Sequence, residues 1–132
     1  MSTVAMKPIL CLDFDGVIHS YTSGWKGADV IPDEPVHGAI EFIYNAMKYF
    51  TVAIYSSRSN QKGGILAMRL WLRMHVANNV ESQTFRKGWL NAIEWPTEKP
   101  PAMITIDDRA ITFTGIWPNI NTLLNFKPWN EK

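Results

Sequence analysis

Three short apolar runs constrain the fold more than any other feature of the sequence. They cover residues 9–14, 51–55 and 103–106, and each is nearly continuous and partly β-branched. A strand that is covered on both faces has this pattern, because it does not need to alternate apolar with polar side chains. Helical patterns separate the runs, which favours a parallel sheet with crossover helices. The sequence predicts an α/β fold, three-layer and Rossmann-like, with a central and mostly parallel sheet.

Two helices are expected around the second apolar run, and a third near the end of the chain. Asp33 is suited to N-cap the first, with Pro35 in its first turn and an end near Tyr49. The second begins near Gly63, and the last begins at Pro118. The predicted packing faces are Val36, Ile40, Ile43, Ala46 and Met47 on the first helix, Ile65, Met68, Leu72 and Val76 on the second, and Ile120, Leu123 and Leu124 on the last.

Length and composition indicate one domain over residues 1–132. The chain of 15.1 kDa is 46% hydrophobic, which is enough for a core. Its only cysteine, Cys11, lies within the first apolar run and favours a reducing compartment. The first residues lack the pattern of a signal peptide, and no window approaches the roughly 18 apolar residues of a membrane span. We therefore expect a cytoplasmic protein with no membrane partner.

The net charge of +1 conceals a basic middle segment. Residues 58–87 contain six basic side chains and a single acid, Glu81. The basic residues are Arg58, Lys62, Arg69, Arg73, Arg86 and Lys87. Such a segment could attract a phosphorylated ligand, or it could be the solvated face of a helix.

Polar side chains stand at the ends of the three predicted strands. They are Asp13 and Asp15 after the first, Ser56, Ser57 and Arg58 after the second, Lys99 before the third, and Asp107 and Asp108 after it. Parallel strands bring their carboxyl ends to one edge of the sheet, so these groups should converge. Four carboxylates this close would repel one another strongly unless a cation lies between them. All-oxygen ligands favour Mg²⁺, and the absence of a matching His/Cys cluster argues against zinc.

Each of these groups taken alone has an ordinary structural explanation. An Asp-x-Asp sequence or the Asp107–Asp108 pair could belong to turns, because Asp is common in loops. Ser56 could form a local turn through its hydroxyl group, and Lys99 could be a solvated surface lysine. The conjunction of three strand ends with complementary groups is what favours a catalytic site.

In these residues the chain resembles a haloacid-dehalogenase (HAD) superfamily phosphohydrolase. The sequence DFDGV matches the first motif of that superfamily, and Ser56 at the end of VAIYS matches the second. Lys99 fits the third motif, and IDD at 106–108 fits the acidic fourth. The motifs span most of the chain. More narrowly, it is similar to the small HAD-like proteins of phage and bacterial genomes, and the fold implied is HAD-like.

The resemblance implies a role for each matched residue. Asp13 would be the nucleophile that forms an aspartyl phosphate, and Asp15 would be the general acid and base. Ser56 and Lys99 would hold the phosphoryl oxygens, with Lys99 also neutralising Asp13. Ser57 could supply the hydroxyl group instead of Ser56.

The resemblance also implies a Mg²⁺ cofactor. Asp13, the Asp15 backbone carbonyl group and Asp107 would bind the ion. Asp108 would either ligate it as well or position a metal-bound water or Arg109. The three histidines, His19, His37 and His75, receive no role.

A flap over residues 17–32 is long enough for a hairpin and too short for a cap domain, so we expect an open site without a cap. Such a site suits a large substrate or closure by a second subunit, and the oligomeric state stays open. Trp25 could stack a base or pin the flap to the body of the protein. Arg58 and Ser57, at the same edge, are candidates for binding substrate.

Together these features predict a Mg²⁺-dependent phosphomonoesterase acting on a nucleotide or a nucleic-acid terminal phosphate. A sugar-phosphate phosphatase and a non-catalytic phosphate-binding module on the same fold are the alternatives.

Overall fold

The computed structural model describes residues 6–78 and 87–131. Its strands are β1 (Ile9–Leu12), β2 (Thr51–Ile54) and β3 (Ile104–Ile106), and its α-helices are α1 (Ala39–Ala46), α2 (Gly64–Asn78) and α3 (Ile120–Leu124). Two 3₁₀ helices cover Lys87–Ala92 and Trp129–Glu131. In these ranges no helix combines the length and the apolar character needed to cross a membrane.

The three strands form one parallel sheet in the order β2-β1-β3. In the register of the central strand, Leu12 lies between Ile54 on one side and Ile106 on the other. The residues that follow β1, β2 and β3 therefore begin at the same edge of the sheet. The prediction of an α/β protein with a parallel sheet is confirmed.

The hydrophobic core includes the large side chains on one face of β1 and β2, and Cys11 and Ala53 on the other face are buried too. Leu10, Leu12, Val52 and Ile54 are buried on the first of these faces. They form one cluster with Ile40 and Ile43 of α1, and with Met68, Leu72 and Val76 of α2. The packing faces predicted for these two helices are thus confirmed at their central positions, and both helices contribute to the same core.

Strand β3 is exposed, so the prediction of a third buried strand is wrong. Ile104 and Ile106 are 56% and 38% exposed, although their partners in β1 are buried. β3 lies at the edge of the sheet and pairs only with β1 among the described strands. The predicted packing face of the last helix is exposed as well, because α3 has only five residues and Leu124 is 77% exposed.

Helix α1 begins later than predicted, since Asp33 does not cap it. The helix starts at Ala39, and the Asp33 carboxylate instead accepts hydrogen bonds from the backbone and the hydroxyl group of Ser23, at 2.7 and 2.5 Å. The segment in between pairs with the loop after β1, where the Ser20 amide donates to the Glu34 carbonyl group at 2.9 Å. Residues predicted to be helical are therefore used to fasten the flap.

Candidate metal and active site

Three carboxylates meet at the carboxyl edge of the sheet. Asp13 directly follows β1, and Asp107 and Asp108 directly follow the neighbouring β3. One carboxylate oxygen from each lies within 4.8 Å of the other two. The sequence predicted this convergence, and it arises because parallel neighbouring strands end side by side.

The surroundings of the acid cluster favour the protonated form of Asp13. Burial raises the pKa of Asp13 to about 8, and a hydrogen bond to Asp108 and the charge of Asp107 act in the same direction. In addition, Asp108 Oδ1 is buried and has no hydrogen-bond partner among residues 6–78 and 87–131. An orphaned oxygen beside two further carboxylates is a donor set that suits a hard cation such as Mg²⁺. The residues present therefore fit the predicted ion.

Gly16 gives Asp108 the space that it occupies. The backbone of Gly16 has φ +81°, and a Cβ atom at this position would overlap the Asp108 carboxylate. The Gly16 carbonyl group accepts a hydrogen bond of 2.8 Å from Trp129 Nε1, which ties the end of the chain to this loop. The turn in the first motif thus shapes the acid cluster directly.

Asp15 points away from the acid cluster and into a separate network. Its carboxylate accepts hydrogen bonds from Arg58 Nε at 2.9 and 3.2 Å, and it contacts His19 Nδ1 at 2.9 Å. The Asp15 side chain is only 13% exposed. To act on a leaving group, Asp15 would have to exchange at least one of these contacts.

Arg58 fastens the flap, and its Nη2 is buried with no hydrogen-bond partner among the described residues. Its side chain is fully buried, and Nη1 donates to the carbonyl groups of Gly27, Ala28 and Val30 at 2.7–3.1 Å. Its guanidinium carbon lies 4.7 Å from the centre of the Trp25 ring. The prediction that Arg58 binds substrate stays a prediction, and the contact between Arg58 and the ring favours the interpretation in which Trp25 pins the flap. Residues 17–32, which are long enough for a hairpin, contain no paired strands of their own, and His19 forms isolated bridges with Asp15 and Pro35.

His19 is a central residue of this region, although the sequence analysis assigned it no role. It is completely buried, and its Nε2 accepts a hydrogen bond from the Asp33 backbone amide at 3.1 Å. This contact places the proton on Nδ1, which then donates to Asp15. The available signal was its position four residues after Asp15, at the end of a tight turn.

The Ser56 hydroxyl group forms a local turn, which is the ordinary structural explanation that the sequence allowed for it. It is buried, and its Oγ accepts a hydrogen bond from the Arg58 backbone amide at 3.1 Å. Because the oxygen acts as acceptor here, the hydroxyl proton stays available for donation. Ser57 is exposed, and its backbone carbonyl group accepts from the Gln61 side chain.

Lys99 does not pair with Asp13 as the resemblance implied. Its side chain is exposed and forms no ion pair or hydrogen bond within residues 6–78 and 87–131. Its charge does reach Cys11, two residues before Asp13 on β1, where it partly opposes the rise in thiol pKa that burial causes. Lys99 therefore lies close enough to β1 for its charge to act on Cys11, but it does not neutralise the acid cluster.

No protein-family model, curated protein or solved structure matches this chain. The fold and the site accordingly define an α/β protein with an acidic, cation-suited cluster at the carboxyl edge of its parallel sheet.

Proposed function

We propose that this chain is a Mg²⁺-dependent phosphomonoesterase of the HAD type, in which Asp13 is the nucleophile. One observation carries the proposal: Asp13, Asp107 and Asp108 converge at the ends of adjacent parallel strands, with excess negative charge and an orphaned oxygen. The three-stranded parallel sheet and its helices are compatible with a Rossmann-like domain of that superfamily. Ligands of open α/β sheets bind at this edge.

In the proposed reaction, an Asp13 oxygen attacks the substrate phosphorus while the bond to the leaving oxygen breaks. The product is an aspartyl phosphate on Asp13. Water then attacks this phosphorus, releases phosphate and regenerates the carboxylate. A bound Mg²⁺ would neutralise the acid cluster and the phosphoryl group during this chemistry. Since the pKa of Asp13 is about 8 in the metal-free chain, the nucleophile gains from any cation that favours its charged form.

Asp15 is the proposed proton donor to the leaving oxygen and acceptor from water. It lies two residues after the nucleophile, and its carboxylate is oriented by Arg58 and His19. Exchanging the contacts of Oδ1 with His19 and with Arg58 Nε at 3.2 Å would free that oxygen, while the 2.9 Å contact from Arg58 Nε to Oδ2 keeps the side chain in place. Asp15 would then turn toward substrate only once substrate is bound.

Ser56 and Lys99 are the proposed ligands of the phosphoryl oxygens. The Ser56 hydroxyl group retains its proton for donation, and its position is fixed by the turn after β2. Lys99 is exposed and unpaired in the described part of the chain, so its flexible side chain can move toward an anion.

A nucleotide or nucleic-acid end is the proposed substrate class. The exposed Arg69 and Arg73 on α2 support it as part of a basic surface. Trp25 and Arg58 no longer support it, because they are engaged with each other. A panel of oligonucleotide ends, mononucleotides and sugar phosphates separates this class from the small-metabolite alternative.

The test of the reaction class is hydrolysis of an aryl phosphate with and without Mg²⁺. We expect metal-dependent turnover that falls by at least about 10³-fold in Asp13→Asn, since this variant lacks the nucleophile. The matched control is Asp29→Asn, which changes an exposed carboxylate outside the cluster and should retain full turnover. Turnover that survives in Asp13→Asn would contradict the assigned nucleophile. Mg²⁺ binding without turnover on the whole panel would instead favour a non-catalytic phosphate-binding module.

A further inference from the structure

The segment that follows the acid cluster is uncharged and exposed. Residues 110–126, here called the arm, have the sequence AITFTGIWPNINTLLNF and contain no acidic, basic or histidine side chain. Their large apolar side chains are exposed by 40% or more, namely Ile111, Phe113, Ile116, Trp117, Ile120, Leu123, Leu124 and Phe126. Water is a poor environment for such a segment, so the arm needs an apolar surface to cover it.

The described part of the same chain has an apolar surface that no other described residue covers. Ile106 of β3 and Phe42 of α1 are 38% and 48% exposed, and they flank the buried Leu12. Together these side chains line a cavity of about 240 Å³, here called the edge groove. Ile104, on the same face of β3, extends the exposed surface beside it. The core is therefore left uncovered at this edge of the sheet.

The exposed apolar area is of the size found in stable interfaces. Aromatic side chains each offer about 150–250 Å², and the arm adds five exposed aliphatic side chains to three exposed aromatic ones, so its summed exposed area is on the order of several hundred Å². The largest apolar patch of a typical monomer is about 300–600 Å². A stable interface buries about 800 Å² on each partner. The summed exposed area of the arm is therefore comparable with one side of a stable interface.

The arm does not fill the edge groove of its own chain. It is fastened at both ends, by β3 on one side and by the buried Pro128 and the contact from Trp129 to Gly16 on the other. Between these points its apolar side chains stay exposed, as do Phe42 and Ile106. Within residues 6–78 and 87–131, no other part of the chain covers the arm.

We propose that the occupant is a second copy of the chain, with each arm lying against the edge groove of the other copy in a symmetric dimer. An uncharged surface is a poor match for nucleic acid or an acidic peptide, which require basic side chains. The edge groove is mainly apolar, with His37 as the one titratable residue in its lining, and every copy carries both surfaces. A twofold pair buries both arms and both grooves at once.

The test is the mass of the chain in solution, measured by sedimentation equilibrium across a concentration series. The wild type should behave as a dimer of twice 15.1 kDa. Trp117→Lys should raise the dissociation constant at least about 30-fold, as expected for a central aromatic contact. Trp117 is 83% exposed, so the substitution leaves the fold of one chain intact.

The matched control is Leu70→Lys on the outer face of α2. Leu70 is 57% exposed and belongs to a separate apolar stripe with Leu66 and Met74. The dissociation constant of Leu70→Lys should equal that of the wild type. A monomeric wild type, or a dimer that is broken by Leu70→Lys and not by Trp117→Lys, would overturn the proposal.

Cross-linking between copies locates the contact. Phe42→Cys and Leu123→Cys chains are mixed and joined with a short bis-maleimide, while the buried Cys11 stays protected. A product that links position 42 of one copy to position 123 of the other is expected. Dimers that form without this product would place the interface elsewhere and refute the assignment.

Discussion

Asp13 links the stability of the metal-free chain to pH. Its pKa is raised to about 8 in the folded state, mainly by burial, from an ordinary value of 3.8. A carboxyl group with a raised pKa in the folded state stabilises the fold below its ordinary pKa. This contribution is lost as the pH rises toward 8. The loss is steepest between pH 4 and 8, at up to about 1.4 kcal/mol per pH unit.

We therefore predict that, with a chelator present, the wild type loses stability over this range and Asp13→Asn loses less. Urea unfolding at several pH values measures both slopes. Using the variant as reference removes the effect of other groups, among them His75, whose pKa burial lowers. Parallel curves for the two proteins would contradict the assigned cause.

We predict that Gly16 affects the metal site only by leaving room for the Asp108 carboxylate. In Gly16→Ala the new Cβ overlaps Asp108, so this carboxylate must move out of the acid cluster. Gly38→Ala is the matched control, since Gly38 has the same φ of +81° and nothing lies within 4 Å of its Cβ position. Both variants should lose about 1–2 kcal/mol of stability through backbone strain.

Only Gly16→Ala should also weaken Mg²⁺ binding, by about 10-fold or more, as for other groups that orient metal ligands. Calorimetric titration of both variants gives the two affinities. Equal Mg²⁺ affinities in the two variants would show that Asp108 does not need its present position.

At the scale of elements, the flap and the turn after β2 form one unit through Arg58. The guanidinium group joins three flap carbonyl groups to Asp15, and it is completely buried. Arg58→Ala would leave Asp15 partly buried without its main partner. We expect a loss of about 3–5 kcal/mol, as for other broken buried ion pairs. The control Arg69→Ala removes an exposed arginine from α2 and should change stability by about 0.5 kcal/mol or less.

Urea unfolding followed by tryptophan fluorescence measures this difference. Trp25, which lies against Arg58, should report flap release in the native baseline of Arg58→Ala. Equal stabilities of the two arginine variants would mean that the flap is held by other contacts.

The sequence predicted the elements whose buried residues recur at regular intervals along the chain. β1, β2 and the faces of α1 and α2 follow from apolar periodicity, and the meeting of Asp13 with Asp107 follows from strand order. The pattern could not show that β3 is an edge strand, because an apolar run looks the same with or without neighbours. It also could not show that Asp33 bonds to Ser23, since this contact joins residues ten positions apart in irregular loops.

The roles of Arg58 and His19 were hidden for a similar reason. A basic side chain after a strand is ordinarily exposed, and only the three-dimensional path of the flap carbonyl groups shows that Arg58 is enclosed. The direction of a buried imidazole depends on backbone contacts such as the one from Asp33 to His19, which no local pattern encodes.

At the scale of the whole molecule, the candidate catalytic site and the proposed dimer contact are neighbours in the chain. Asp108 belongs to the acid cluster, and the arm begins at Ala110. A second copy that covers the arm would therefore stand beside the carboxyl edge of the sheet. The two proposals are nevertheless independent, because the acid cluster is complete within one chain.

Calorimetric titration of Mg²⁺ at pH 8 tests directly whether the acid cluster holds a divalent cation. We predict one Mg²⁺ per chain in the wild type and in the control Asp29→Asn. Asp107→Asn should bind at least about 10-fold more weakly, because it removes one ligand while changing only an exposed side chain. No binding by the wild type, or equal binding by Asp107→Asn, would contradict the claim.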